Sequence, residues 1–276
     1  MRAVPVKTLS DGTTAPMVTW DEHTQRWVHR VRQSTLGDLT LCAERTRYNA
    51  YGLVPRVETD STAIGTSLHR AIEVFLAHGR DEDEAFFAGG EMFDSLLPSI
   101  LWTSYTEQTA LDYYRHAYDR FLELVVPALG ASQQCEVEFE FPLYEDDDRV
   151  IVGTGTIDCV DSQHGLLDWK TGKRKYSQNE KQRSSVQASM YTLAAHTLGF
   201  GDHTQFTFVV FPLGARDVQW VTVQRAPSDW RFLEKVALQY CQMVERQLDA
   251  WPMNDNGWHC SERWCQAYDR CKAAQL

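Results

Sequence analysis

Two aspartates and a lysine within GTGTIDCVDSQHGLLDWK, residues 153–170, define the chemistry this chain is equipped for. Asp158 and Asp168 stand near the ends of two apolar runs, and Lys170 follows Asp168 with one residue between. Hard carboxylate oxygens suit a hard divalent cation, magnesium or manganese. A neighbouring ammonium suits charge building on phosphorus as water attacks. This is the donor set of a metal-dependent phosphodiesterase. The same Asp168–Trp169–Lys170 tripeptide is also what an exposed ion pair on a hairpin looks like, so the residues around it must decide.

Those residues lie on recognisable elements. Segments 151–157 and 165–170 read as strands, and the polar turn 161–165 ends in glycine, which predicts a hairpin. Alternation along the second strand points Asp168 and Lys170 to one face. Asp158, closing the neighbouring strand, meets them across the ladder. Trp169 points the other way, yet its backbone carbonyl is available as a further metal ligand. Upstream, IGTSLHRAIEVFL (64–76) puts Leu68, Ile72, Phe75 and Leu76 on one helical face. His69 lies beside that face, with Glu73 one turn later to orient the imidazole. The plainer role for His69 is that of a partly buried core histidine. Downstream, SVQASMYTLAA (185–195) places Gln187 and Tyr191 one turn apart on another helix.

Taken in order, G-T-x-x-H, G-x-x-D, D-x-K-T-G and Q-x-x-x-Y resemble the motifs of the RecB-like branch of the PD-(D/E)xK nucleases, from about residue 34 onward. The resemblance implies that His69, Asp158, Asp168 and the Trp169 carbonyl hold the divalent metal. It implies that Lys170 positions or activates the water and stabilises phosphate charge. Gln187 and Tyr191 would line the DNA-side wall. The glutamates of EVEFEF (136–141) are placed to assist, but nothing in the motif singles one out.

Seven cysteines are present. Cys135, Cys159 and Cys241 sit in apolar segments and read as buried thiols. Cys42 stands alone near the N-terminus, and Cys260, Cys265 and Cys271 cluster near the C-terminus. One upstream and three downstream cysteines resemble the iron–sulfur members of the same branch, the AddB-type helicase–nucleases and the CRISPR-adaptation exonucleases. The resemblance implies that these four thiolates bind a structural 4Fe-4S cluster stapling an N-terminal helix to the tail. The family spacing is C-x2-C-x5-C, whereas here the first gap holds four residues. A four-cysteine Zn2+ site needs the same ligands, and unrelated free thiols are the remaining reading. A disulfide framework does not fit a chain long enough to build its own core and unmarked for secretion.

The chain has 276 residues and a net charge of −11, the reverse of most nucleic-acid binders. The acidic runs 81–84 and 145–148 contribute to that charge, and basic stretches 26–32, 45–47 and 170–181 remain to track phosphates. No apolar run reaches membrane-spanning length, and MRAVPVKTLSDGTTAP lacks the apolar stretch of a signal peptide. A cytoplasmic protein without a membrane partner is expected. No G-x-x-x-x-G-K-[ST] motor motif occurs, so any helicase would be another chain.

The expected organisation is an extended segment over 1–33, with a short strand at 17–20, and one nuclease domain over 34–276. Its iron–sulfur elements would be 34–48 and 251–276. Helices are predicted at 34–48, 62–79, 182–199 and 228–249, with two or three over 81–129 broken at Pro98. Strands are predicted in 134–170, 205–211 and 218–223. The fold class is α/β: a central mixed sheet flanked by helices, with a helical insertion and a Cys-rich appendage. The expected activity is that of a Mg/Mn-dependent DNA exonuclease acting on single-stranded or free-ended DNA. By resemblance it would serve recombination, repair or replication, with a helicase, recombinase or integrase as partner, and phage genomes carry similar forms. The rival readings are a non-catalytic DNA-end-binding module and a nuclease subunit of a helicase or integration complex.

Overall fold

The computed structural model describes residues 4–8, 14–55, 57–77, 79, 81–200 and 204–273. Parts of the expected N-terminal segment (1–3, 9–13), the end of the His69 helix at 78, Gly201 and the last residues of the tail lie outside the described residues. The chain begins with strands β1 (Val6–Thr8), β2 (Thr14–Pro16), β3 (Val18–Asp21) and β4 (Arg26–Arg32), then helices α1 (Gln33–Leu41) and α2 (Ala43–Ala50). Next come β5 (Glu58–Thr59), α3 (Asp60–Ala77), α4 (Glu82–Leu96), β6 (Ile100–Leu101) and α5 (Glu107–Arg120). The central strands are β7 (Gln133–Glu145), β8 (Arg149–Asp161) and β9 (Gly165–Gly172). They are followed by α6 (Gln178–Ser184), α7 (Val186–Leu198), β10 (Gln205–Pro212), β11 (Gln219–Gln224), α8 (Pro227–Arg246) and α9 (Tyr268–Ala273).

Two compact units form. One comprises Met1–Arg56, Phe139–Gly155 and Ala226–Leu276; the other comprises Val57–Glu138 and Thr156–Arg225. In the second, the end of β8 pairs antiparallel with β9, Cys159 opposite Leu167. Strand β9 pairs parallel with β10, Asp168 opposite Phe208, and β10 antiparallel with β11. The resulting sheet is mixed, as the α/β pattern predicts. Helix α3 starts at a reciprocal threonine cap, with Thr59 N–H donating to Thr62 Oγ1 (2.8 Å) and Thr62 N–H to Thr59 Oγ1 (3.2 Å). Its buried stripe Ile64, Leu68, Ala71, Ile72 and Phe75 recurs at helical spacing and packs in one core with Phe93, Tyr114, Phe121 and Trp169. Helix α4 comes close to α3 at Gly89, where a Cβ would stand 2.1 Å from the Tyr114 hydroxyl and 2.7 Å from the Ser67 carbonyl. Pro98 does break the helical insertion, within a 3₁₀ turn at Leu97–Ser99.

In the first unit β4 pairs antiparallel with β3 and parallel with the first half of β8, Val31 opposite Gly153. The described part of residues 1–33 holds four strands where one was expected. Two predicted helices are each split. The one over 34–48 starts at Gln33 and is interrupted at Cys42, whose backbone is extended (φ −160°, ψ 114°). The one over 182–199 is interrupted at Ser185, whose hydroxyl caps α7 by accepting from Ala188 N–H. Helix α8 buries Leu233, Val236, Ala237, Tyr240, Cys241 and Val244. Phe232, just before this stripe, is 59% exposed. No helix of the described residues is long and apolar enough to cross a membrane.

Candidate active site

The hairpin β8–β9 carries the acidic residues, and α3 brings the histidine to it. Asp158 lies inside β8 rather than at its end, since pairing continues to Asp161 opposite Gly165. Gly165 adopts φ +71° in the turn, a conformation that favours glycine. Asp158 Oδ2 accepts the Trp169 N–H (2.9 Å) and lies 3.4 Å from His69 Nδ1. His69 Nε2 is 2.6 Å from the Trp169 carbonyl. A carbonyl only accepts, so Nε2 carries the proton and the Nδ1 lone pair faces a carboxylate oxygen. Burial lowers the His69 pKa further than Asp158 raises it, keeping the ring neutral. Two lone pairs facing each other at this distance are a place for a cation. The imidazole is oriented by the Trp169 carbonyl and not by Glu73, which pairs instead with Arg70 (2.9 Å).

The third member of the group is Glu136. Ligand atoms of His69, Glu136 and Asp158 all lie within 4.8 Å of one another, two carboxylates and one imidazole able to hold a metal ion together. The β7–β8 pairing explains how Glu136 arrives there. The Asp146 N–H bonds the Arg149 carbonyl at one end, and the Ser162 N–H bonds the Ser132 carbonyl at the other. One more residue of β7 than of β8 lies between these contacts, so β7 bulges. Glu136 is its one residue with left-handed backbone, φ 49°. Such a bulge re-aims a side chain at some cost in strain. Burial, then Asp158 and Glu73, push the Glu136 carboxyl up to about 7.

Asp168 is buried and engaged otherwise. Its carboxylate is 2.7 Å from the Lys170 ammonium and accepts a short hydrogen bond from Gln187 Nε2. Burial opposes the Lys170 charge, but Asp168 and Asp158 outweigh it and hold the ammonium above its ordinary pKa. Lys170 is thus a cation here, fitted to stabilise charge rather than to take a proton. Asp168 and Asp158 face the same strand end, yet Asp168 stands outside the three-residue group. Trp169 packs its ring edge-on to Phe121 in the core, centroids 6.0 Å apart. Tyr191, expected on a DNA-facing wall, is only 5% exposed and stacks edge-on to Phe206. Its apolar neighbours on α7 and β10 draw it inward, where it sits behind Gln187.

In the other unit, Cys42, Cys260, Cys265 and Cys271 line one cavity of about 180 Å3, together with Arg45, Met253 and His259. The helix break at Cys42 makes this possible: the Cys42 N–H returns to the Asp38 carbonyl (2.9 Å), and its own carbonyl accepts from Thr46 N–H (3.1 Å). Segments distant in sequence are tied beside it. Buried Glu44 accepts the Trp251 N–H (2.7 Å), and Asn254 Nδ2 donates to the Leu41 carbonyl (2.9 Å). All seven thiols are free of disulfides. Burial raises the Cys265 and Cys271 thiols, and each feels the charge of the other cavity cysteines. Cys241 is buried in α8, and Cys135 hydrogen-bonds Cys159 across the strands.

Most of the expected basic patches are neutralised by neighbours. Arg26 pairs with Glu145 (2.5 Å), Arg30 with Glu140 (3.6 Å), Arg45 with Asp38 (3.4 Å) and Arg47 with Glu44 (2.6 Å). Lys173 and Arg174, just past the end of β9, stay exposed.

Sequence reasoning did not single out Glu136, because the alternation of EVEFEF offers three equivalent glutamates and a bulge leaves no periodic signal.

No curated protein sequence matches the chain. The fold is similar to that of a "putative exonuclease" from Eubacterium rectale, with TM-score 0.53 and 8% identity over 83% of this chain and 86% of that one. A second solved structure, SSO0001, aligns over 87% of this chain and 94% of its own, with TM-score 0.37 and 11% identity. The family model of the PD-(D/E)XK nuclease superfamily matches residues 31–272, nearly the whole chain and both the acidic hairpin and the cysteine segments. The chain belongs to the PD-(D/E)XK nuclease superfamily.

Proposed function

We propose that this nuclease is a Mg/Mn-dependent DNA exonuclease working at the His69–Glu136–Asp158 group beside Asp168 and Lys170. One observation carries the reading: an imidazole and two carboxylates, from a helix and two strands, meet within 4.8 Å next to a half-buried lysine cation. His69 offers a neutral nitrogen, and Glu136 and Asp158 offer oxygens. Asp168 faces the same strand end and completes the set when Lys170 turns to phosphate. A bound divalent ion supplies Lewis acidity there and lowers the pKa of water. Gln187, anchored by Tyr191, fixes the Asp168 carboxylate, and Lys170 stabilises charge on the phosphoryl oxygens. Single-stranded or free-ended DNA is the proposed substrate, in recombination, repair or replication beside a helicase, recombinase or integrase. The test is cleavage of end-labelled DNA by the full chain with and without magnesium or manganese. Lys170→Ala and Asp168→Ala should each lower the rate about a thousandfold while leaving the fold intact. Wild-type turnover in either variant overturns the site, and a folded, metal-binding protein that holds DNA without cutting it is the non-catalytic end-binding module instead.

The four-cysteine cavity is proposed to hold a 4Fe-4S cluster. Its donor set is four thiolates, right in number and softness for iron. A four-thiolate zinc site needs the same ligands. Iron, sulfide and zinc analysis after anaerobic purification separates the two, and about one zinc without sulfide would favour the zinc site.

A further inference from the structure

We propose that Tyr105 and Lys173 form a platform that receives one unpaired DNA strand on its way to the metal site. This rests on the nuclease reading and adds strand selection to it.

The platform stands on a braced loop. Asp60, fully buried at the first turn of α3, accepts the backbone N–H groups of Thr103 (2.8 Å), Ser104 (2.6 Å) and Tyr105 (3.0 Å) on one oxygen. Burial works against its charge, but these donors outweigh it and hold its carboxyl below the ordinary value. A buried carboxylate committed to three backbone donors fixes the 103–105 loop in one conformation. What that loop presents is a half-buried tyrosine. The Tyr105 ring stands edge-on to Tyr113, centroids 5.0 Å apart, and the Lys173 ammonium lies 5.0 Å from its centroid.

The location matters as much as the composition. Lys173 leaves the end of β9, just beyond Lys170. Gly65 of α3 abuts the same strand end, where a Cβ would come 3.1 Å from Thr171 Oγ1. Asp60 and His69 lie on one helix, separated by about 13 Å of helix axis at the usual rise. The platform therefore stands a few nucleotides from the metal group. Lys175 is paired with Asp217, while Lys173, over one face of the ring, and Arg174 are exposed and can meet phosphates. Stacking on a tyrosine requires a base whose face is free, which a duplex does not offer. An aromatic ring flanked by cations and continuous with a phosphodiesterase strand matches a single strand in both its chemistries.

The test is fluorescence anisotropy of labelled oligothymidylate and of a duplex, with the full chain in EDTA so that nothing is cleaved. Tyr105→Ala should weaken single-strand binding about tenfold, as loss of one stacked base does, and Tyr105→Phe should restore it. Lys173→Ala should weaken binding and lower the slope of log affinity against log salt by about one. Duplex affinity should change far less in Tyr105→Ala. Wild-type affinity in a folded Tyr105→Ala, or equal losses on single strand and duplex, overturns the platform while leaving the nuclease standing. If the wild-type chain neither binds nor cuts DNA of either kind, the nuclease reading itself fails.

Discussion

The imidazole of His69 donates to the main-chain carbonyl of Trp169 at 2.6 Å, across a hundred residues of sequence. The ring is therefore aimed by the backbone of β9, and its other nitrogen is turned toward Asp158. Removing it should weaken metal binding more than DNA binding. For His69→Ala, a manganese titration should show affinity lowered by about tenfold or more, with activity partly recovered at high manganese. Unchanged metal dependence would identify His69 as a core histidine only.

Glu136 gives a pH signature of defined sign. Its carboxyl is raised to about 7 by burial and by Asp158 and Glu73, from an ordinary 4.5. Folding therefore favours its neutral form. The contribution is fully present below 4.5 and is lost as pH rises through 7. In EDTA, Glu136→Gln should flatten the fall in melting temperature over that window. Metal affinity should respond oppositely, rising with pH through 7 in the wild type and losing much of that rise in the variant. Superimposable pH profiles would remove Glu136 from the group.

The cysteines separate into two classes by location. Cys42→Ala opens one wall of the cavity and should abolish the visible absorption of an anaerobic preparation and lower its melting temperature. Cys135→Ala, in the other unit, should leave the metal content of the cavity intact. Full iron content in Cys42→Ala would mean that Cys42 is not a ligand.

Gly89 is a packing constraint independent of chemistry. An added methyl meets the Tyr114 hydroxyl and the Ser67 carbonyl, and the Tyr114 hydroxyl is itself held by donating to the Phe86 carbonyl (2.6 Å). Gly89→Ala should cost about 1–3 kcal/mol despite its better helix propensity. Urea denaturation measures this, and a stabilised variant would show that α3 and α4 separate easily.

Much of this was legible in the residues. The hairpin around Asp158 and Asp168 follows from two apolar runs and a glycine turn, and the buried stripe of α3 from period alone. The four cysteines line one cavity, a grouping that the family resemblance implied and that no spacing in the chain gives. What stayed hidden depends on single backbone angles. Glu136 reaches the site through a bulge, and Cys42 reaches its cavity by interrupting a helix that its neighbours would continue. Tyr191, which the resemblance put on a DNA-facing wall, lies inward, because spacing pairs it with Gln187 without saying which face is outside. The arginines misled because their carboxylate partners lie far away in sequence, Glu145 for Arg26 and Glu140 for Arg30.

The order of the cysteines has a consequence for synthesis on the ribosome. His69, Glu136, Asp158, Asp168, Lys170 and Gln187 all emerge before Cys260, so the catalytic unit can fold while the cavity still has one wall, the one built around Cys42. The thiols at 260, 265 and 271 arrive last. Until then Cys42 waits at a helix break without its companions, and the nascent chain is a nuclease in shape before its thiol site is closed. Truncation shortly before residue 260 should therefore leave a folded catalytic unit attached to an unfinished one.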